Sequence, residues 1–269
     1  MDFTTIKIDR RGAVARLTLS RPERANALNA AMLGEINACL DALERDEAVR
    51  ALIVTGAGQA FSSGFDLKEQ MERRPKGMDA WRDILRKDFD TIMRFWHFRA
   101  PTIAAVRGPC LAGACELALA CDITIAADDA FFGEPELKFG AGIVAMLLPW
   151  VVGPKIAKEI IYTGEDRIPA ARAREIGMVN RVVPVGEELE AALRLARTMA
   201  AMDPKLVQRT KAAINRSYRL MGMDEALAID LAIEGAGSPD KVQFMDIARR
   251  DGLKAALAWR DARFPARRG

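Results

Sequence analysis

The spacing of apolar and polar positions changes several times along the chain, and each change predicts an element. Residues 4–9 and 13–20 carry strand-type residues punctuated by Arg11-Gly12, the pattern of a hairpin. Arg21-Pro22 ends the second strand, and Asn29 can cap a helix whose apolar face is Leu33, Ile36, Leu40 and Leu43. Residues 51–55 predict a short buried strand, ended by Gly56 and Gly58. An amphipathic helix is expected over 78–95, and a second buried strand over 102–106 stops at Gly108-Pro109. Residues 112–120 place small residues and leucines at helical spacing, and 122–126 predict another strand. Strand, turn and helix recur without a fixed period, which predicts a layered α/β fold with parallel strands.

Beyond Pro154 the pattern becomes helical, over 155–163, 170–176, 187–202 and 205–220. Asp203-Pro204 supplies a cap followed by proline at the first helical position. Only residues 179–183 return to a strand pattern. A soft boundary falls near residue 200, dividing a core, 1–200, from a helical C-terminal part, 201–269, expected to pack on the core or on another subunit.

Composition narrows the class. Half of the 269 residues are apolar and 29% are charged, as in a soluble globular protein, and the net charge of +3 points to no partner. The basic stretch from Arg260 to Arg268 reads as a solvated tail or as a phosphate contact, within the subunit or in a neighbouring one. Cys39, Cys110, Cys115 and Cys121 form no CxxC pair and no metal-ligand spacing, so they read as small core residues in a reducing compartment. Acidic and polar residues among the first ten argue against a signal peptide. The longest apolar stretch, 141–152, is too short to span a membrane, so a cytoplasmic location is the default. His97 is the single histidine, which excludes a His-rich metal site and argues against a histidine relay.

Three motifs carry little. Gly140-Ala141-Gly142-Ile143-Val144-Ala145 fits G-x-G-x-x-A, but no convincing strand precedes it, so a nicotinamide-dependent oxidoreductase is only a residual reading. Ala60-Phe61-Ser62-Ser63-Gly64 approaches a nucleophile elbow with alanine in place of the first glycine, and its only possible base is His97. No Gly-Lys-Ser/Thr sequence suggests a phosphate loop.

Two segments carry more. Ala60-Phe61-Ser62-Ser63-Gly64-Phe65-Asp66-Leu67-Lys68 follows a buried strand, and residues 103–123 read IAAVRGPCLAGACELALACDI. Small residues at Gly64 and Ala112-Gly113-Ala114 let backbone donors approach a ligand closely. A helix starting near Gly113 would add its positive end. Two N–H groups aimed at one carbonyl oxygen stabilise the negative charge it gains during a reaction, each worth about 3 kcal/mol of barrier. Glu116 lies one turn into that helix, and Glu136 follows in Phe132-Gly133-Glu134-Pro135-Glu136-Leu137. A carboxylate pair can hold a water and deliver a proton when its two environments differ.

Together these segments resemble the two signature regions of the crotonase, or enoyl-CoA hydratase/isomerase, family, and the resemblance extends over residues 5–220. It implies a spiral of repeated ββα units forming an acyl-CoA-binding core, with a C-terminal helical oligomerisation part. It implies a homotrimer or a pair of trimers. The N–H groups of Phe65 and Gly113 would form the oxyanion hole, and Glu116 and Glu136 would be the catalytic pair. Arg24, Ala25, Ala27, Ser63, Phe65, Asp66, Leu67 and Lys68 would contact coenzyme A, which belongs to the substrate. Glu134 does not match the position of the family's acid. No metal or redox cofactor is implied.

The chain departs from the family after Glu136. The stretch FGAGIVAMLLPWVVG lacks the usual Pro-Gly and Gly-Gly elements and is shorter, which should make the acyl-pocket wall at Ile143, Val144, Met146 and Leu147 more apolar. Phe65 is bulky where many hydratases have alanine. The expected activity is addition or removal of water at the double bond of an enoyl-CoA. Double-bond isomerisation and a non-catalytic binding scaffold are the alternatives.

Overall fold

A computed structural model of the chain describes residues 2–73, 77–227, 235 and 237–264. Strands β1 (Ile6–Arg11) and β2 (Val14–Leu19) form the expected antiparallel hairpin. Then β3 (Ala51–Gly56), β4 (Thr102–Val106), β6 (Ile123–Ala127) and β9 (Arg181–Val183) add in parallel, giving the order β1-β2-β3-β4-β6-β9. Parallel neighbours need crossovers. These contain α1 (Ala30–Arg45), the pair α2 (Leu67–Glu72) and α3 (Gly77–His97), and α4 (Gly113–Ala120). Asn29 caps α1 as expected, its side chain accepting from the Met32 N–H.

A second sheet was not expected: β5 (Pro109–Leu111), β7 (Phe131–Gly133) and β8 (Ile168–Pro169). Its strands have two or three residues, too few to show a period. It matters most for the site. Because β5 and β7 run parallel, their C-terminal ends emerge side by side, one leading into α4 and the other into residues 134–136.

Among the described residues, further helices are α5 (Leu148–Val152), α6 (Pro154–Thr163), α7 (Ala170–Glu175), α8 (Glu188–Ala200), α9 (Pro204–Leu220), α10 (Met223–Ala226), α11 (Pro239–Asp251) and α12 (Leu253–Asp261). Strand alternation sorts the core to two faces of the main sheet. Leu52, Val54, Ala104 and Val106 pack with Met32, Ile36, Phe95 and Leu117, whereas Ala51, Ile53, Ile103 and Ala105 meet α8 at Ala192, Leu193 and Ala196.

The C-terminal helices divide. The helix α9, capped by Asp203 as expected, is tied to the core by Lys211 Nζ on Asp122 Oδ2 at 2.8 Å. It exposes Leu206, Ile214 and Leu220 beside a groove of about 690 Å³ that reaches Leu119 and Trp150. In contrast, α11 and α12 fold back: Phe244, Met245 and Ala248 pack on Leu67 and Met71 of α2 and on Phe139. Arg260 lies over the Phe139 ring, while Arg267 and Arg268 of the basic stretch fall outside the described residues. No described helix is long and apolar enough to cross a membrane.

Candidate active site

Residues 60–66 run beside two other segments. Ser62 bridges Cys110 of β5, and Phe65 bridges Leu28 ahead of α1. The Leu28 N–H donates to the Gly64 carbonyl, and the Asp66 N–H donates to that of Leu28. These bonds use the backbone on either side of Phe65 and leave its own N–H to point elsewhere. Gly113 opens α4, where an N–H has no carbonyl one turn back. Among the described residues, neither N–H has a protein acceptor.

Glycine brings the two donors together. Gly64 has φ +88°, and a Cβ there would lie 2.7 Å from the Leu111 carbonyl oxygen and 3.4 Å from Gly113 N. A Cβ on Gly113 would lie 2.4 Å from the Phe65 ring. Between β5 and α4, Ala112 adopts φ +54°, a region that costs a non-glycine residue about 1–3 kcal/mol. That strain turns the chain so that α4 begins with its amide beside Phe65.

The carboxylates converge from the adjoining strand ends. One oxygen each of Glu116, Glu134 and Glu136 lies within 4.8 Å of the others. Glu116 and Glu134 are each 1% exposed and Glu136 is 9% exposed. Glu116 Oε1 accepts from the Val144 N–H at 3.0 Å, so this residue does not cap its own helix; its Oε2 has no partner among the described residues. Burial, then the nearby Glu136 charge, push Glu116 well above the usual carboxylate range, against the amides of Ala145 and Val144. Burial, Glu136 and Glu116 do the same to Glu134, against the Cys115 thiol beside it. Burial raises Glu136 too, but only to about 7, because its own amide, Glu134 and the Lys241 charge pull it back. Three carboxyls in one pocket cannot all ionise, and Glu136 loses its proton most readily.

Sequence reasoning placed Glu116 and Glu136 together and set Glu134 aside; the structure brings all three into one cluster. It also missed Lys241, which reaches the site from α11 across more than a hundred residues of chain, a distance over which no local spacing gives a signal. Ile143 and Val144 are buried and Met146 is half-buried in the loop that holds Glu116. The backbone of that divergent loop therefore positions a carboxylate as well as shaping a wall.

The expected coenzyme contacts also gather. The Ser63 N–H donates to the Ala25 carbonyl at 3.0 Å, placing Ala25, Ala27 and Ser63 along one ladder with Phe65. Arg24 and Lys68 are exposed at its edge. Asp66 already has partners: it caps α2 and pairs with Arg21 at 2.9 Å. Burial raises the Asp66 pKa, but Arg21 and two amides outweigh this and hold it below the usual range. Leu67 packs against the α11–α12 pair.

The weaker motifs lose their context. Ser62 Oγ accepts from the Gly64 N–H, and the charged neighbours of His97 are Asp224, Arg219 and Lys211, so no serine–histidine pair exists. Gly140 and Gly142 lie between a 3-10 turn (Glu136–Phe139) and α5, not between a strand and a helix. All four cysteines are free and buried.

Asp88 of α3 also went unnoticed. It is 7% exposed, beside Phe65, Gln70 and Trp81 in a small cavity of about 30 Å³, and burial raises its pKa to about 7 despite Arg73. The folded protein keeps this proton to about pH 7, whereas the unfolded chain releases it near 4, so stability is lost as pH rises between those values. The loss is on the order of 3 kcal/mol. Asp88→Asn should equal the parent protein near pH 4 and exceed it by at least about 1 kcal/mol at pH 8 in urea unfolding. Parallel stability curves would show that Asp88 ionises freely in the fold.

The chain is similar to known proteins over most of its length. A family model described as enoyl-CoA hydratase/isomerase matches residues 9–243. The crystal structure of an enoyl-CoA hydratase/isomerase from Xanthobacter autotrophicus Py2 is 69% identical and superposes with a TM-score of 0.95, covering 98% of this chain and 100% of that one. A probable enoyl-CoA hydratase of Rhizobium meliloti is 34% identical over 99% of this chain and 100% of its own length. The short-chain-enoyl-CoA hydratase of Clostridium acetobutylicum is 36% identical over 86% of this chain and 88% of its own.

Proposed function

The chain belongs to the enoyl-CoA hydratase/isomerase family, and from that premise we propose that it is a hydro-lyase acting on the double bond of an acyl-CoA thioester. The observation that carries this reading is the pairing of two unpartnered N–H groups, Phe65 and Gly113, with the buried carboxylates that follow β5 and β7. The thioester oxygen lies between the two N–H groups, which stabilise the charge it gains. Glu116 positions and activates water for attack on the β-carbon, and Glu136 exchanges the proton at the α-carbon. In the reverse direction Glu136 removes the α-proton and Glu116 protonates the departing hydroxyl. Carboxyls and amide dipoles suffice for this chemistry, so the reaction calls for no metal or redox cofactor.

The core of residues 1–200 holds the thioester, with Arg24, Ala25, Ala27, Ser63 and Lys68 along the coenzyme and Ile143, Val144 and Met146 along the acyl chain. The protein acts in the cytoplasm as a homotrimer or a pair of trimers, and the exposed apolar side of α9 supports assembly. The test is turnover of but-2-enoyl-CoA in ¹⁸O-labelled heavy water, followed by mass spectrometry. Hydration places ¹⁸O on the β-carbon and deuterium on the α-carbon. A panel of enoyl-CoA esters that gains no ¹⁸O overturns the reading. Deuterium without ¹⁸O, with a moved double bond, identifies the isomerase instead, a reading favoured by the way Val144 ties up one Glu116 oxygen.

A further inference from the structure

The helix α11 lies far along the chain from both glutamates, yet it carries a buried ammonium whose charge acts on Glu136. Lys241 is 6% exposed, and its Nζ donates to Gln70 Oε1 at 3.2 Å. Gln70 belongs to α2, which begins two residues after the oxyanion donor Phe65. On the other side, the Ser238 hydroxyl donates to the Gly140 carbonyl and accepts from the Lys241 N–H. The contact is close, since a Cβ on Gly140 would lie 2.6 Å from Lys241 N. Phe244 then packs edge-to-face on Phe139, with ring centroids 5.0 Å apart. Lys241 is therefore clamped between the helix after Phe65 and the turn that carries Glu136.

The other charges around this joint are matched. Asp240 pairs with Arg263, Asp246 with Arg249, Glu69 with Arg73, and Arg260 with Asp261. Lys241 forms no ion pair of its own among the described residues; the charge that acts on it is that of Glu136, a member of the cluster with Glu134 and Glu116, and it acts on Glu136 in return.

We propose that Lys241 is a positioning residue, oriented by Gln70, that holds the negative charge of the carboxylate cluster on Glu136 and leaves the mobile proton on Glu116. This rests on the hydro-lyase reading. It makes the resting site the starting form for removing water. Glu136 takes the α-proton of a 3-hydroxyacyl thioester, and the C–H electrons become the new double bond. The C–O electrons leave with the hydroxyl, which takes the Glu116 proton and departs as water. Addition begins from the other arrangement, with the proton on Glu136. The shifts agree: burial lowers Lys241 to about 8 against the pull of Glu136, and Glu136 lies near 7 while burial drives its two fellows well above.

The test compares the full-length protein with Lys241→Met and Lys241→Arg. In the pH profile of kcat for 3-hydroxybutanoyl-CoA dehydration, the acidic limb should move up by about one unit in Lys241→Met, a roughly fivefold loss at pH 7 that approaches tenfold at lower pH. That loss should recover at higher pH with KM little changed, and Lys241→Arg should keep the limb near its original place. A purely structural lysine would lower kcat equally at every pH. A second readout needs no turnover: the ¹³C carboxyl signal of Glu136, assigned by its absence in Glu136→Gln, should titrate higher in Lys241→Met. If parent and variant titrate alike, the proposal is overturned. If the signal shifts but no thioester is turned over, Lys241 is upheld and the hydro-lyase reading falls.

Discussion

Glu136→Gln is expected to lower kcat for but-2-enoyl-CoA hydration by about 1,000-fold while leaving thioester binding nearly intact, and Glu116→Gln should do the same. Both exchanges keep the side-chain shape. Glutamine at 116 can still accept from the Val144 N–H, so the loop keeps its anchor. What disappears is the ability to move a proton, and neither carboxyl can replace the other because each serves a different carbon of the substrate. Glu136→Gln carries an additional mark: the buried Lys241 loses its counter-charge and becomes easier to deprotonate. Glu134→Gln is the comparison, since no proton passes through it, and its loss should stay within about tenfold. Stopped-flow turnover and calorimetry with butanoyl-CoA separate chemistry from binding. Full activity in both Glu116→Gln and Glu136→Gln would remove the acid/base assignment.

The second large effect concerns the two glycines, which should fail in different ways. Gly64→Ala sets a Cβ against the Leu111 carbonyl and the Ala112 side chain at a φ of +88°. Neither neighbour is a flexible side chain, so the chain between Phe65 and Gly113 must shift. A loss of about 100-fold or more in kcat is expected, with on the order of 2 kcal/mol of stability. For Gly113→Ala the three nearest atoms all belong to the Phe65 ring, a side chain that can swing away. Pairing it with Phe65→Ala should therefore return kcat to within a few fold of Phe65→Ala alone, because Phe65 contributes its backbone N–H and not its ring. The same partner should not rescue Gly64→Ala. Rescue of both, or of neither, would contradict this division.

These contrasts show where sequence reasoning reached and where it stopped. The main-sheet strands and long helices were legible because each is long enough to show a period, as with Leu33, Ile36 and Leu40 on α1. Phe65 and Gly113 were named through the family resemblance, which the small residues at Gly64 and 112–114 helped to carry. The second sheet was not, since Pro109–Leu111 and Phe131–Gly133 are too short to carry alternation. That sheet decides that Glu134 emerges beside Glu116, whereas sequence reasoning set Glu134 aside because it does not match the position of the family's acid. Asp88 looked like one more polar position on an amphipathic helix, and only packing against Phe65 and Trp81 makes it unusual. Lys241 looked like an ordinary helix lysine for the same reason.

The fold-back of α11 also gives the enzyme a timetable. Every strand of both sheets ends by Val183, so the oxyanion donors and all three glutamates leave the ribosome before Lys241 is translated. Domains fold in the order in which they are made. A nascent chain can therefore hold an assembled cluster with its protons shared otherwise than in the finished protein. Docking of residues 239–261 is then the step that brings the Lys241 charge to bear on Glu136, and a chain lacking it should behave like Lys241→Met, slowed at pH 7 without being inactive.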